Sequence, residues 1–162
     1  IPVSVPEVCR AQGAAKEDQR VDHGRSRVKS TWITLGTVFG GLAVVAGAFA
    51  AHMLERAWSD DPKRLQWVQT AAQYQMYHSL AMVAVGIVAW QRSSLAARLA
   101  GFSFLVGILL FSGSLYLLAF TQVKWLGAIT PLGGVSFLVG WGSLAVAGLT
   151  LPRDTSPTEN PS

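Results

Sequence analysis

The sequence predicts an all-α protein, a four-transmembrane-helix bundle with disordered polar tails. Four apolar stretches, at about residues 32–52, 74–90, 95–120 and 131–151, each approach the roughly 20 residues that a helix needs to cross ~30 Å of hydrocarbon. Arg98 is the only Lys, Arg, Asp or Glu within them. Residues 99–120 carry only small or hydroxyl-bearing polar side chains. A soluble helical protein, the alternative, would instead show one apolar stripe on each helix.

The chain of 162 residues suits one membrane domain, predicted over residues 31–151. Residues 1–30 combine prolines with mixed charge and hold too few apolar residues to bury a core, so we expect a disordered polar leader. The chain begins with Ile1, and an untranslated leader is an open alternative. Residues 152–162 are proline-rich and polar and are predicted to be a disordered C-terminal tail.

The first span, at about residues 32–52, has one rival interpretation. Arg25, Arg27 and Lys29 precede an apolar run that ends near residues 48–50, where Ala-Phe-Ala resembles the A-x-A site of a signal peptide. Cleavage there would leave three spans. The run is longer than a usual signal core and rich in glycine, so we expect a retained span and keep cleavage as the alternative.

The second span, at about residues 74–90, is predicted to belong to a longer helix. Asp60 or Asp61 can cap that helix, and Pro62 suits its first turn, where a missing N–H costs nothing. From Pro62 to Trp90 the helix would be ~43 Å long, so its first turns should protrude from the bilayer.

The third and fourth spans are separated by a short segment. Span three, at about residues 95–120, follows the turn near Arg92. In span four, at about residues 131–151, Thr130 is predicted to cap and Pro131 to open the helix, because a proline inside a helix removes a hydrogen bond. Residues 121–129 then form a loop or an interfacial turn.

The charged residues indicate orientation rather than a nucleic-acid surface. The net charge is +4, but the basic residues flank the apolar spans and do not alternate with aromatic ones, so no nucleic-acid partner is predicted. More of them lie beside the tails and the turn near Arg92 and Arg98 than beside the opposite loops, which predicts both termini on the cytoplasmic side of a cell membrane. Cys9 is the single cysteine, so one chain can form neither a disulfide nor a thiolate metal site.

Two histidines are the first candidates for a ligand site. His52 ends span one and His78 lies early in span two, so an antiparallel hairpin is expected to bring them to similar depth. Ionisable groups at membrane depth often mark ligand sites, and two imidazoles can hold a haem. Without a carboxylate or thiolate, the two histidines are too few to ligate a metal ion. The interpretation we favour is that each histidine makes a hydrogen bond that fixes the register of its helix.

Other polar and small residues complete the predicted site. The candidate polar cluster or ligand site consists of His52, Gln73, Tyr74, His78, Ser112, Ser114 and Tyr116. The candidate helix-packing residues are Gly36, Gly40, Gly47, Gly107, Gly113, Gly133 and Gly134, because small side chains let helices approach closely in lipid. The same spacing could equally serve a homodimer.

Four ordered strings carry a family resemblance. They are GAFAAH at 47–52, TAAQYQMYH at 70–78, FSGSLY at 111–116 and ITPLGG at 129–134. Together they resemble the domain-of-unknown-function 423 family of small YwdK/YgdD-like membrane proteins. The resemblance implies an integral membrane protein with four spans, animal relatives and no established activity. Ala50 stands where the family is expected to have glycine, and the long leader is unusual for the family.

The function predicted from these observations is that of an integral membrane protein with no known chemistry. We expect a structural or partner-binding component, not an enzyme, with the lipid bilayer and a homo-oligomer or another membrane protein as partners and no cofactor. One alternative is a conduit for a small solute or ion, although the spans lack the carboxylate of proton-coupled transport. The other is a haem- or quinone-binding protein that uses His52 and His78.

Overall fold

The computed structural model describes residues 31–151, and the predicted polar tails lie outside them. Within the described range the chain is helical and contains no strand. The four long helices are α1 (Thr31–Ala57), α2 (Pro62–Gln91), α3 (Leu95–Thr121) and α4 (Thr130–Leu149), and a 3₁₀ turn at Lys124–Ala128 joins the last two. The predicted all-α fold is confirmed.

Three segments are long and apolar enough to cross a membrane. They are Thr31–Ala57, Leu95–Thr121 and Lys124–Leu149. Helix α2 is longer than any of them, with 30 residues, but it is not apolar enough to count as a candidate span. The structure therefore supports three candidate spans directly.

The start of α2 follows the prediction. Asp61 is the N-cap, its Oδ1 accepts from the Arg64 backbone N–H at 3.4 Å, and Pro62 lies in the first turn. Arg64 also reaches the end of α3, where its Nε donates to the carbonyl of Ala119 at 3.0 Å. Its guanidinium lies over the Trp58 ring, 4.1 Å from the centroid. This side chain therefore ties α2 to both the end of α1 and the end of α3.

The start of α4 differs from the prediction in one respect. Pro131 does lie in the first turn, but the residue before the helix is Ile129, which already has helical dihedral angles, so Thr130 is not the cap. The Thr130 hydroxyl instead lies 2.9 Å from the Ser114 hydroxyl on α3. Because that partner is on a neighbouring helix, Thr130 fixes tertiary packing rather than helix initiation. The segment expected to be a loop or an interfacial turn contains the 3₁₀ turn.

Consecutive helices run antiparallel, so α1 is parallel to α3. Gln75 of α2 donates to the carbonyl of Phe39 in α1 at 2.8 Å, and the Trp32 ring of α1 packs on Gly101 near the start of α3. Arg92, just after α2, donates to the carbonyl of Thr150 after α4 at 2.6 Å. One end of the bundle, here called the Arg92 end, therefore holds the starts of α1 and α3 and the ends of α2 and α4.

Helices α3 and α4 interlock through two reciprocal pairs. Phe137 of α4 fills the space at Gly107 of α3, and Phe104 of α3 fills the space at Gly140 of α4, where an added Cβ would come within 2.7 Å of the ring. Both phenylalanines are buried. Because lipid tails are as apolar as these side chains, close packing of rings on glycines drives association here more than apolar burial does.

Two helices contain a π-helical turn that nothing in the sequence predicted. One spans Ala50–Leu54 in α1 and the other Ile108–Ser112 in α3. Such turns are rare and are frequently found at functional sites. Each overlaps one of the strings that carry the family resemblance.

Candidate functional site

His78 is the central polar residue of the bundle interior. It lies on α2 and is 5% exposed. Its Nδ1 lies 2.7 Å from the carbonyl of Tyr74, one turn earlier. A carbonyl only accepts, so Nδ1 carries the proton in this geometry, and Nε2 of the neutral ring is left as an acceptor. The bond fixes both the tautomer and the orientation of the imidazole.

Aromatic rings from three helices surround this imidazole. Phe137 of α4 stacks on it with ring centroids 3.4 Å apart and planes 5° from parallel. Tyr74 stacks on Phe111 of α3 at 4.6 Å, and Phe104 meets Trp141 edge to face at 5.3 Å. The His78 aromatic cluster is defined as His78 together with Tyr74, Phe104, Phe111, Phe137 and Trp141. It joins α2, α3 and α4 through geometries that aromatic rings favour.

The cluster holds one imidazole, whose Nε2 has no hydrogen-bond partner among residues 31–151. Within residues 31–151 no three His, Cys, Asp or Glu side chains come together as a metal site would need. General acid–base or nucleophilic chemistry requires a partner within hydrogen-bond reach, and none of the rings around His78 makes a hydrogen bond to the imidazole. The arrangement therefore orients and packs helices.

The structure does not bring His52 to His78. His52 is exposed and lies in the π-helical turn of α1, beside Ala50 and Leu54, which pack against Val68 of α2. Ten residues of α2, about 15 Å at 1.5 Å per residue, separate Val68 from His78. The expected pairing at similar depth is wrong. A haem held by both histidines is therefore excluded, because both ligands must bond one iron.

The other predicted cluster residues take separate positions. Gln73 is exposed, and its Nε2 donates to the hydroxyl of Tyr77 at 2.7 Å. The Tyr74 ring, 38% exposed, does join the His78 aromatic cluster. Gln73 and Tyr74 were both predicted to belong to the polar cluster, but only Tyr74 reaches the bundle interior.

The hydroxyl residues of α3 lie inside the bundle but form no network with His78. Ser114 donates to the carbonyl of Phe111 at 3.0 Å and meets Thr130. The hydroxyls of Ser112 and Tyr116 are buried and have no hydrogen-bond partner among the described residues. The single internal cluster predicted from the sequence is thus replaced by separate local contacts.

The glycines predicted to pack helices differ in whether they lie at a helix contact. Gly36, Gly107 and Gly133 lie at tight helix contacts, and a Cβ on Gly133 would come within 2.5 Å of the Phe111 backbone nitrogen. Gly40 is in ordinary contact with Ser79. Three others, Gly47, Gly113 and Gly134, have no neighbouring atom within 4 Å of an added Cβ, so the expectation that they pack helices within one chain is wrong.

Sequence reasoning missed the aromatic residues that enclose His78. A signal was present in their spacing, since Phe104 and Phe111 are seven residues apart and Phe137 and Trp141 are four apart, as Tyr74 and His78 are. Such spacing places each pair on one helix face, but it does not reveal which faces meet.

Comparison with known proteins identifies the family. A family model described as "Protein of unknown function (DUF423)" matches residues 46–134, more than half of the chain. The chain belongs to the DUF423 family. The matched region contains all four strings that suggested the resemblance, so that prediction is confirmed.

Curated relatives of this DUF423 member are named as membrane proteins. A UPF0382 membrane protein of Haemophilus influenzae is 47% identical over 118 residues, 73% of this chain and 93% of its own length. YwdK of Bacillus subtilis is 47% identical over 117 residues, 72% and 94% of the two chains. YgdD of Escherichia coli, an inner membrane protein, is 34% identical over 121 residues, 75% and 91%. No solved structure matches significantly. The DUF423 member is therefore an integral membrane protein of a family of unknown function.

Proposed function

We propose that this DUF423 member is a multi-pass protein of the cell membrane with four spans, and that it acts by binding a second copy of itself through α1 rather than by catalysis. The outward face of α1 carries this proposal. The fourth span and the orientation rest on other features of the bundle. The solute-conduit alternative stays a prediction.

Helix α2 is the fourth span in this proposal despite its lower apolar character. Its polar side chains bond inside the bundle: Gln75 donates to the carbonyl of Phe39, His78 to that of Tyr74 and Ser79 to that of Gln75. Polar groups satisfied within protein do not meet lipid, so a helix that carries them can cross at little cost. Helix α2 also packs against α1 and α3, both of which are apolar enough to span.

The Arg92 end is the cytoplasmic end in this proposal. By sequence, that end has Arg20, Arg25, Arg27, Lys29, Arg92, Arg98 and Arg153, against Arg56, Lys63, Arg64 and Lys124 at the other. Cytoplasmic segments carry an excess of Lys and Arg, which favours both termini inside.

Cysteine labelling tests the fourth span and the orientation together. In a Cys9→Ser background, a membrane-impermeant maleimide should label Lys63→Cys in intact spheroplasts and Arg92→Cys only after permeabilisation. Lys124→Cys is the matched control, because it lies at the same end as Lys63 and should label in the same way. Equal labelling of Lys63→Cys and Arg92→Cys in intact cells would contradict the crossing of α2.

The outward face of α1 suits another helix better than it suits lipid. Thr34, Gly41 and Ala48 recur every seven residues, all are exposed, and no atom lies within 4 Å of a Cβ placed on Gly41. Only 17% of the most apolar part of α1 is buried, against 22% for the segment Lys124–Leu149 and 44% for α3. Small residues in a row let two helix backbones approach closely, and such contacts supply association energy in a bilayer.

A single glycine substitution tests the dimer. Gly41→Leu should convert a dimer into a monomer in lipid nanodiscs, as counted by single-molecule photobleaching, because the leucine holds the two α1 backbones apart. Gly142→Leu is the matched control, since Gly142 is equally open but lies on α4. A monomeric wild type, or equal loss of dimer in both variants, would contradict the proposal.

A further inference from the structure

A groove separates the parallel helices α1 and α3. Its wider part, a cavity of ≈ 430 Å³ near the Arg92 end, is lined by Thr31, Trp32, Leu35, Arg98, Phe102 and Leu105. A second cavity of ≈ 250 Å³ follows toward the middle of the bundle, with Phe39, Leu42, Leu109, Gly113 and Tyr116 among its lining residues. The residues of both cavities continue along the same helix faces at three- and four-residue spacing, so the two cavities lie in line between α1 and α3, and together they are called the groove.

The mouth of the groove holds a cation without a side-chain partner. The Arg98 side chain is exposed and has no hydrogen bond or ion pair with any residue from 31 to 151. Trp32 is 4% exposed, and its Nε1 has no hydrogen-bond partner in the same range. Because the Trp32 Nε1 atom is itself buried, the exposed Arg98 guanidinium is the group at this end of the groove that can meet the oxygens of a bound anion.

Beyond its mouth the groove has apolar walls, and its length is close to the thickness of the hydrocarbon in one leaflet of the bilayer. Leu35, Phe102 and Leu105 continue into the second cavity, where Leu42 and Leu109 form the outer rim. From Arg98 to Leu109 the axial distance is about 16 Å, close to half of the ~30 Å hydrocarbon core. An acyl chain that enters at Arg98 would therefore end near the bilayer centre.

We infer that the groove binds one anionic glycerophospholipid from the leaflet at the Arg92 end. The Arg98 guanidinium contacts the phosphate, whose oxygens suit its planar fork of donors. One acyl chain lies along the groove, against the Trp32 ring and the apolar side chains that follow it. The lipid site uses other residues of α1 than the proposed dimer does, because Thr34 and Gly41 each lie about 100° around the helix axis from the groove residues Leu35 and Leu42.

Native mass spectrometry with defined lipids tests the headgroup. Dioleoyl phosphatidylglycerol should bind the full chain with one high-affinity site, and dioleoyl phosphatidylcholine about tenfold more weakly, because its choline cation offsets the phosphate charge that attracts Arg98. Arg98→Gln should weaken phosphatidylglycerol binding by about tenfold, as expected for loss of a charge-assisted contact. Arg92→Gln, the matched control, removes the same charge at the same end but outside the groove and should leave binding within about twofold.

Groove filling tests the acyl chain. Gly113→Phe places a ring in the second cavity, where an added Cβ meets no atom within 4 Å, and Gly142→Phe is the matched open-site control. Phosphatidylglycerol with a terminal diazirine should crosslink to α1 and α3 in the wild type and in Gly142→Phe, but not in Gly113→Phe. Circular dichroism checks that each variant is folded. If Arg98→Gln is not, Arg98→Lys, which keeps the charge but loses the planar fork of donors, should still weaken phosphatidylglycerol binding, by a smaller factor.

Four results would overturn the inference. They are equal affinity for the two lipids, equal weakening by Arg98→Gln and Arg92→Gln, crosslinks outside α1 and α3, and full displacement of the lipid by inorganic phosphate alone. The last result would assign the mouth to a free anion rather than to a lipid.

Discussion

Phe137 of α4 lies flat on the imidazole of His78 in α2, with ring centroids 3.4 Å apart. The imidazole cannot turn away, because its Nδ1–H is bonded to the carbonyl of Tyr74. Phe137 also packs on Gly107 of α3, whose missing side chain leaves room for the ring. One phenylalanine therefore joins three helices, and His78 serves as a flat packing surface with one fixed hydrogen bond.

Replacing each ring separates packing from polar chemistry. Phe137→Ala should lower the free energy of unfolding by about 3 kcal/mol, because it leaves a cavity between His78 and Gly107. His78→Phe keeps a ring and loses one hydrogen bond, so we expect a loss of about 1 kcal/mol. Unfolding in mixed micelles with increasing SDS, followed by circular dichroism, measures both.

The control for this pair is Leu138→Ala, at the residue next to Phe137, which is 73% exposed. It should change stability by about 0.5 kcal/mol or less. If His78→Phe proved as destabilising as Phe137→Ala, the imidazole nitrogen rather than the ring would be the important group.

Alanine substitutions at two adjacent glycines at the start of α4 should change stability in opposite directions. Gly133→Ala places a Cβ within 2.5 Å of the Phe111 backbone, so α3 and α4 must separate and stability should fall by about 2 kcal/mol. Gly134→Ala meets no atom within 4 Å, and the better helix propensity of alanine should raise stability by up to about 1 kcal/mol. The same SDS titration tests both, and equal effects would contradict the tight α3–α4 contact.

The helices were predictable because their signals are local. Span length and charge distribution define α1 and α3, and the Asp61–Pro62 pair defines the start of α2. The cap of α4 was not predictable in the same way. Thr130 has the side chain of a capping residue, but Ser114 on another helix binds its hydroxyl, and no local pattern reveals that partner.

The candidate site was less predictable because it depends on which residues of neighbouring helices lie at the same level along the bundle. Apolar content placed the start of span two at Tyr74, which put His78 near a membrane face. In the structure α2 packs on α1 from Val68 onward, so His78 lies far along the shared contact, well away from His52. Polar residues bonded within the bundle, such as Gln75, hide part of a span from a hydropathy measure.

The serines on α3 provide a test of paired against unpaired hydroxyls. Ser114→Ala removes the contact with Thr130 and should cost about 1 kcal/mol. Ser112→Ala removes a buried hydroxyl that has no partner among the described residues, so stability should stay equal or rise. The comparison needs only the SDS midpoint of each variant. A clear loss in Ser112→Ala would show that its hydroxyl binds water or a ligand in the membrane.

Arg64 should be a main determinant of how α2 attaches to the end of α3. Arg64→Lys keeps the charge but cannot maintain both the bond from Nε to the Ala119 carbonyl and the contact with the Trp58 ring. We expect the free energy of unfolding to fall by about 1–2 kcal/mol. The reason is that the cation partly loses its interactions with the C-terminus of α3 and with the indole of Trp58.

Lys63→Ala is the matched control for Arg64→Lys, since Lys63 is exposed and its Nζ lies 5.8 Å from the Trp67 ring centroid. It should change stability by about 0.5 kcal/mol or less, as surface charges usually do. Raising the salt concentration should narrow the difference between wild type and Lys63→Ala but not that between wild type and Arg64→Lys, because the half-buried Arg64 contacts are screened less. Equal salt sensitivity of the two variants would mean that Arg64 acts only as a surface charge and that other contacts hold the end of α3 against α2.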